Sequence, residues 1–499
     1  MASDLPVLQR DKLPAFLPSP SSCPLVHPWE TYRQLCALNQ RKASISGDLP
    51  IRILREFAYE ISFPLTDILN ASFQSSVVPS QWKQAEVVPI PKCQPPTLQN
   101  LRPISLTSYF GKIAETFICK WLLEDIKEHI DANQYGNRCG LSTNHYLIKL
   151  LHQVLENADH PHSNSMIVLT DFSKAFDRID HNVLARKLIS LNVRPCLIDW
   201  ILNFLDNRQQ CVRHLGKSSD WTTVHSGVPQ GTKLGPILFL IMINDACTES
   251  EVPYFKYVDD LTFVESRRNN QPSNMQHALN DFHDWSVDNN MTLNPKKCST
   301  MSVSFSKNPA PQIQLSMGNT FLNLIGKAKI LGVTIQSNLK WDAHVSDLLK
   351  RCNRKLYMLR CLRTYNLPLS DMITVYKGYI RSILDYGVPV FNGGLTGKHC
   401  KLLEHIQKRA CKIILGDQYT TYEAALEIFS LQSLEDRRKK LCTDFATTLA
   451  KNPLCKDWLP VSENNSYSLR KKTKYKQFLC RTKRYQSSAL PYLVQLLNE

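Results

Sequence analysis

The chain has 499 residues, 43% apolar and 21% charged, so it can bury a sizeable core and fill about two to four domains. This excludes a disordered or collagen-like polypeptide. The longest apolar run, Pro236 to Ile243, falls far short of the roughly 20 residues of a spanning helix. No basic-then-apolar leader opens the sequence. The expectation is therefore a soluble, intracellular protein with no membrane partner.

Charge is distributed unevenly. Residues 1–335 carry 32 Lys+Arg against 30 Asp+Glu, whereas residues 336–499 carry 28 against 14, and the total is +16. Such asymmetry points to a polyanion partner for the C-terminal third. The 16 cysteines include no C-x₂-C pair; the nearest two are Cys352 and Cys361. His277 with His283, and His399 with His405, follow no paired cysteines and read as helix-surface residues. Reduced, mostly buried thiols are expected.

In chain order, residues 1–41 are proline-rich and read as a flexible lead-in. Ile51–Ile61 and Leu65–Phe73 have the spacing of short amphipathic helices, and Pro89–Asn100 reads as a loop. Apolar positions predict helices over Ser108–Ile130 and His145–Leu155. The β-branched run Met166–Thr170 predicts a buried strand. Pro253–Tyr257 and Leu261–Val264, separated by Val258-Asp259-Asp260, predict a tight hairpin. A helix over Asn274–Asn290 and strands over Met301–Phe305 and Ile330–Ile335 complete an α+β core. Helices follow over His344–Leu362, Ser370–Leu384 and Lys398–Leu415. Beyond Ser433 the sequence is polar, with basic clusters at Arg437–Lys440 and Arg470–Lys476. Pattern-level reading also allows these clusters as nuclear-import signals.

Asp171 ends the Met166 strand, and Asp259 and Asp260 occupy the hairpin turn. If strand and hairpin are neighbours, three carboxylates meet at one sheet edge. Two unit charges ~4 Å apart repel by about 4 kcal/mol at an effective dielectric near 20. Cations must neutralise such a cluster, and hard oxygen ligands select Mg²⁺ together with substrate phosphates. A pair of such ions suits phosphoryl transfer. An Asp-Asp turn alone also has a local explanation, because Asp favours turns.

The surrounding words are more specific. Leu169-Thr-Asp-Phe-Ser-Lys-Ala-Phe-Asp-Arg-Ile-Asp-His181 resembles the first metal-binding motif of reverse transcriptases from non-LTR (LINE-type, jockey-like) retrotransposons. Ser226-Gly-Val-Pro-Gln-Gly-Thr-Lys-Leu-Gly-Pro-Ile-Leu-Phe239 is similar to the next motif, and Phe255-Lys-Tyr-Val-Asp-Asp-Leu261 to the YxDD box. Leu101–Leu106 and Gln134–Thr143 resemble two fingers motifs. The segments from Trp285 to Cys298 and from Leu331 to Ile335 resemble the last palm motifs. Val258 stands where this group more often has Ala.

The resemblance implies a right-hand polymerase: fingers and palm over 42–335, a helical thumb over 336–432 and a basic C-terminal tail over 433–499. It implies two Mg²⁺ ions, with Mn²⁺ as a substitute, held by Asp171, Asp259, Asp260 and the Phe172 carbonyl. Lys92 and Arg102 would meet the incoming triphosphate. Phe176 would exclude a 2′-OH, and Gln230 and Gly231 would lie under the nascent base pair. Lys296 or Lys297 would protonate the pyrophosphate. RNA template, DNA primer and dNTPs are the implied partners, with the nucleus as the site of action. The family's endonuclease and zinc knuckle are not apparent, so the chain reads as the polymerase part alone: a truncated copy, a fragment, or a protein that uses a separate endonuclease. A catalytically silent nucleic-acid-binding relic is the alternative. An RNA-templated RNA polymerase is disfavoured by Phe176 and the YxDD turn.

Overall fold

The computed structural model describes residues 5–9, 23–92, 95–97, 100–268, 271–306, 311–462 and 474–499. Its centre is a sheet in the order Asn323–Leu324, Ser299–Ser304, Ser163–Thr170, Asp260–Arg268, Tyr254–Tyr257. Ser163–Thr170 lies between two antiparallel partners, in register from Ser163↔Arg268 to Thr170↔Leu261 on one side and Asn164↔Ser304 to Leu169↔Ser299 on the other. Period-two alternation makes this sheet the wall between two cores. Met166, Val168, Leu261 and Phe263 face a core shared with the helices Ala58–Ser75, Tyr109–Ile126, His181–Ser190, Pro195–Leu205 and Gly235–Met242. Ile167, Val264, Met301 and Val303 face a second core, shared with helix Thr143–Asn157 and the helices from Asp342 onward.

A smaller sheet carries the strands Gln84–Pro91, Leu101–Leu106 and Arg208–His214. The segment expected as a proline loop from Pro89 is instead partly strand, with Pro89 opposite Pro103. The prolines are tolerated because the parallel partner covers only Gln84–Val87, so Pro89 and Pro91 lie on an open edge. The apolar stretch Pro236–Ile243 lies mostly in helix Gly235–Met242, almost wholly buried. The expected single strand over Ile330–Ile335 is a hairpin, Lys327–Ile330 with Val333–Gln336. No helix among the described residues is long and apolar enough to cross a membrane.

Two terminal expectations differ from what is observed. Within the lead-in, Pro28–Cys36 is a helix burying Thr31 and Leu35. Pro14, Pro18 and Pro20 lie outside the described residues. Beyond Ser433, the helices Leu434–Lys451 and Ala489–Asn498 bury Leu434, Cys442, Leu449, Leu490 and Leu493 in the second core, so this segment belongs to the folded body. Polar composition obscured an apolar stripe at helical spacing. In the first basic cluster, Arg437 makes a two-pronged contact with Asp385, Arg438 is buried and donates to Asn392, and Lys439 pairs with Glu499. In the second, Arg470 to Thr473 lie outside the described residues. Every described cysteine is a free thiol. His399 is buried against Asp342 at 3.0 Å, not on the surface as expected.

Candidate active site

Ladder register delivers the carboxylates to one place. Because Thr170 pairs with Leu261, Asp171 leaves the central strand beside Asp260. Tyr257↔Asp260 closes the neighbouring hairpin and leaves Val258 and Asp259 as a two-residue loop. Val258 has φ 58°, a conformation that a β-branched residue rarely adopts. The turn therefore projects Asp259 and Asp260 beyond the sheet end.

These acids repel one another. Burial pushes the Asp259 carboxyl above its ordinary range and Asp171 adds to the effect, while its own backbone N–H, Arg102 and Lys92 pull it back. The Asp260 carboxyl is pushed up to about 6, by burial first and then by Asp259 and Asp171. Both residues still reach solvent at the turn. Asp171 Oδ2 is buried and accepts no hydrogen bond, although Lys297 Nζ lies in charge contact at 3.3 Å. Among the described residues, no three metal-ligating side chains close on one point. The three acids act on one another through space, Asp171 on both Asp259 and Asp260, and Asp259 on Asp260. All three offer hard oxygen donors, and Asp171 Oδ2, which has the Lys297 charge beside it but no hydrogen bond from a described residue, is an oxygen that a divalent cation would suit.

Phe172 is buried, with its ring 5.7 Å from that of Phe282. Ser173 N donates to Thr292 O and Asn294 N to Asp171 O, which makes Phe172 and Leu293 a non-hydrogen-bonded pair. The Phe172 carbonyl consequently points away from Leu293. The same pairing carries Asn294 to Asp171, and of the two exposed lysines that follow it is Lys297 that the turn sets against Asp171.

The cationic wall comes from the smaller sheet. Arg102 is paired opposite Ile90, and Lys92 N donates to Asn100 O at 2.8 Å, which fixes both residues at the hairpin end. Each is exposed and acts on Asp259. Gln230 and Gly231 lie against the partner strand. Ser105 N donates to Gln230 O at 2.7 Å, and a Cβ on Gly231, at φ 125°, would come within 2.6 Å of Ser105 O. Gln230 Nε2 donates to Asp177 at 3.3 Å, and Val228 N to Phe176 O at 2.8 Å. The first-motif loop and this glycine loop therefore form one layer. Phe176 lies in it half-buried, stacked on Phe239 at 4.7 Å.

Asn137 and Lys233 are held by partners from distant elements. Asn137 adopts φ 54°, a conformation Asn tolerates, and donates to Pro236 O at 3.3 Å. Lys233 extends to Thr116, and its backbone N–H and that of Leu234 donate to the fully buried Glu115. The sequence reading missed Glu115, as well as Gln134 and Asp131 behind the carboxylate turn. Their partners lie more than a hundred residues away, and no local pattern marks them.

Residues 90–335 match the family model for reverse transcriptase (RNA-dependent DNA polymerase). The chain is similar to the RNA-directed DNA polymerase from mobile element jockey of Drosophila melanogaster, 26% identical over 73% of this chain and 41% of that protein. It is also 26% identical to the probable RNA-directed DNA polymerase from transposon BS of the same organism, over 76% of this chain and 44% of that one. It thus spans less than half the length of either relative. Apo telomerase from Candida Tropicalis aligns at TM-score 0.41 and 13% identity, over 79% of this chain and 71% of that one, too loosely to assign the fold.

Proposed function

With residues 90–335 a member of the reverse transcriptase family, we propose that this chain is an RNA-directed DNA polymerase of a non-LTR retrotransposon. It extends a DNA primer along an RNA template with dNTPs. In this reading the central sheet is the palm of a right hand, the Gln84–Leu106 hairpin belongs to the fingers and the helices from Asp342 form the thumb. One observation carries the proposal: three mutually repelling carboxylates share a sheet edge that faces the cationic end of a second sheet.

Asp171, Asp259, Asp260 and the Phe172 carbonyl would hold two Mg²⁺ ions, or Mn²⁺ in their place. When bound, the ions supply activation of the primer 3′-OH and neutralisation of the leaving phosphates. The residues around them do the positioning. Lys92 and Arg102 bind the triphosphate, Arg102 as a planar fork and Lys92 as a point charge. Gln230 and Gly231 give the nascent base pair a floor of close backbone. Phe176, held by its stack on Phe239, would stand against the sugar 2′ carbon and disfavour ribose. Lys297 carries the proton for the pyrophosphate oxygen, and Lys296 contributes charge nearby.

Primer extension on poly(rA)/oligo(dT) with Mg²⁺ tests this reading. Incorporation of dTTP that depends on the RNA template and on divalent metal is expected. A folded protein that binds primer–template but incorporates nothing would make it the silent relic.

A further inference from the structure

The carboxylate turn has a clamp behind it that the motifs do not account for. The edge strand Tyr254–Tyr257 has an extended neighbour: Lys256 N donates to Asn133 O and Tyr135 N to Lys256 O, each at 2.9 Å, a parallel bridge between Gln134 and Lys256. Fully buried Lys256 locks this register by pairing with Asp131 at 2.6 Å and donating to the carbonyls of Ile243 and Asn244. Gln134, 1% exposed, then reaches forward to the turn. Its Oε1 accepts from Gly136 N at 2.8 Å and from Val258 N at 3.1 Å. Its Nε2 has no partner among the described residues, so only the acceptor is used there, and with two N–H donors facing it the amide has one workable orientation. Gly136 leaves no slack, because a Cβ there would come within 2.6 Å of Val258 Cγ2 and 2.7 Å of Val258 N.

We propose that Gln134 is a positioning residue for the polymerase reaction: its side-chain carbonyl holds Val258 in the left-handed conformation that aims Asp259 at the reaction centre. The inference rests on the polymerase reading above. Val258 is β-branched at φ 58°, a state that persists only where surrounding groups enforce it. Gln134 is the side chain that grips its N–H. Relaxation at Val258 would swing the adjacent Asp259 away from Asp171, whereas Asp260 is retained by the Tyr257 pairing. The clamp therefore acts on one metal-binding carboxylate and leaves the sheet intact.

Three variants test it in the full chain. Gln134→Met keeps the volume and removes the acceptor. Gln134→Glu keeps the acceptor. The double variant Gln134→Met with Val258→Gly removes both the clamp and the steric resistance to positive φ. Gln134→Met should lower kcat for primer extension at least tenfold and raise the Mg²⁺ concentration for half-maximal rate several-fold, with primer–template Kd within twofold. Amide exchange of the 254–261 segment, which needs no activity, should quicken at least tenfold. Gln134→Glu should stay within threefold of the parent in both readouts, and the double variant should regain most of the lost kcat. A Gln134→Met protein with parental kcat and parental exchange would overturn the proposal. So would failure of both Gln134→Glu and the double variant to restore kcat, since a general packing defect would not respond to either. If the parent protein itself extends no primer, the polymerase reading fails, and exchange at 254–261 still decides whether Gln134 holds the turn.

Discussion

Two charged regions of this molecule invite opposite readings in sequence and in three dimensions. The C-terminal third has by far the larger charge excess, yet in its first basic cluster Arg437, Arg438 and Lys439 are engaged by Asp385, Asn392 and Glu499. Residues 1–335, which hold the central sheet, are nearly neutral by count, yet the three carboxylates at its end repel one another and Asp171 Oδ2 accepts no hydrogen bond from a described residue. The fold engages the first set in close pairs, whereas the second meets only exposed cations, Lys297 at Asp171 and Arg102 and Lys92 toward Asp259, and the Asp259 and Asp260 carboxyls stay raised. Chemistry belongs with charges that the fold does not neutralise, and a residue count cannot tell the two kinds apart.

The largest effect short of removing an acid is expected at Lys297. Lys297→Ala takes away the proton donor facing Asp171 and should lower kcat by about a hundredfold, with Lys296→Ala nearer the parent value, in single-turnover extension. Equal losses in the two variants would remove the distinction that the Asn294 turn creates.

At the other region, Arg437→Ala should cost about 1–2 kcal/mol of stability by leaving Asp385 only its looser contact with Arg381 at 3.9 Å, as read by denaturant unfolding. The salt dependence of primer–template binding should stay parallel to the parent's. A salt slope lower by one or more would show that Arg437 touches phosphate and would blur the comparison.

A smaller, selective change is expected at the sugar. Phe176→Val should raise the ratio of rNTP to dNTP incorporation by roughly tenfold, on the order of one kcal/mol of discrimination. An unchanged ratio with activity retained would assign Phe176 wholly to its stack on Phe239.

The smallest effect is a pH dependence. The folded protein raises the Asp260 carboxyl to about 6, so the protonated form favours folding: the advantage is complete below the ordinary carboxylate range and is lost as pH rises through about 6. Metal-free protein should lose roughly 1–2 °C of Tm between pH 5 and 7, a modest shift because Asp260 reaches solvent. Asp260→Asn should flatten that slope, and millimolar Mg²⁺ should reverse it. A Tm that rises across the same window would mean that the acids are already compensated within the protein.

The two regions were also unequally legible in sequence. The central strand and hairpin announced themselves because β-branched residues, alternation and a two-residue turn are local signals, and they placed Asp171, Asp259 and Asp260 at one sheet edge, as observed. Helices His181–Ser190 and Pro195–Leu205 carried no comparable signal: both are short, and the second buries residues nearly all round, which blurs its 3.6-residue period. The Gln84–Pro91 strand was hidden by prolines that an open edge tolerates. The Leu434–Lys451 helix was hidden by basic residues whose partners lie in other elements. Gln134 stood inside a recognised motif, but its work depends on a bridge to Lys256 that only the folded chain creates.

The comparison is tested most directly by primer extension on a 3′-blocked RNA template with Asp259→Asn and Arg437→Ala side by side, at equal concentrations of folded protein. Asp259→Asn should lose at least a thousandfold in rate with undiminished Tm and primer–template affinity. Arg437→Ala should extend at nearly the parental rate with a lowered Tm. Near-parental extension by Asp259→Asn would contradict the assignment of the polymerase centre to the end of the central sheet.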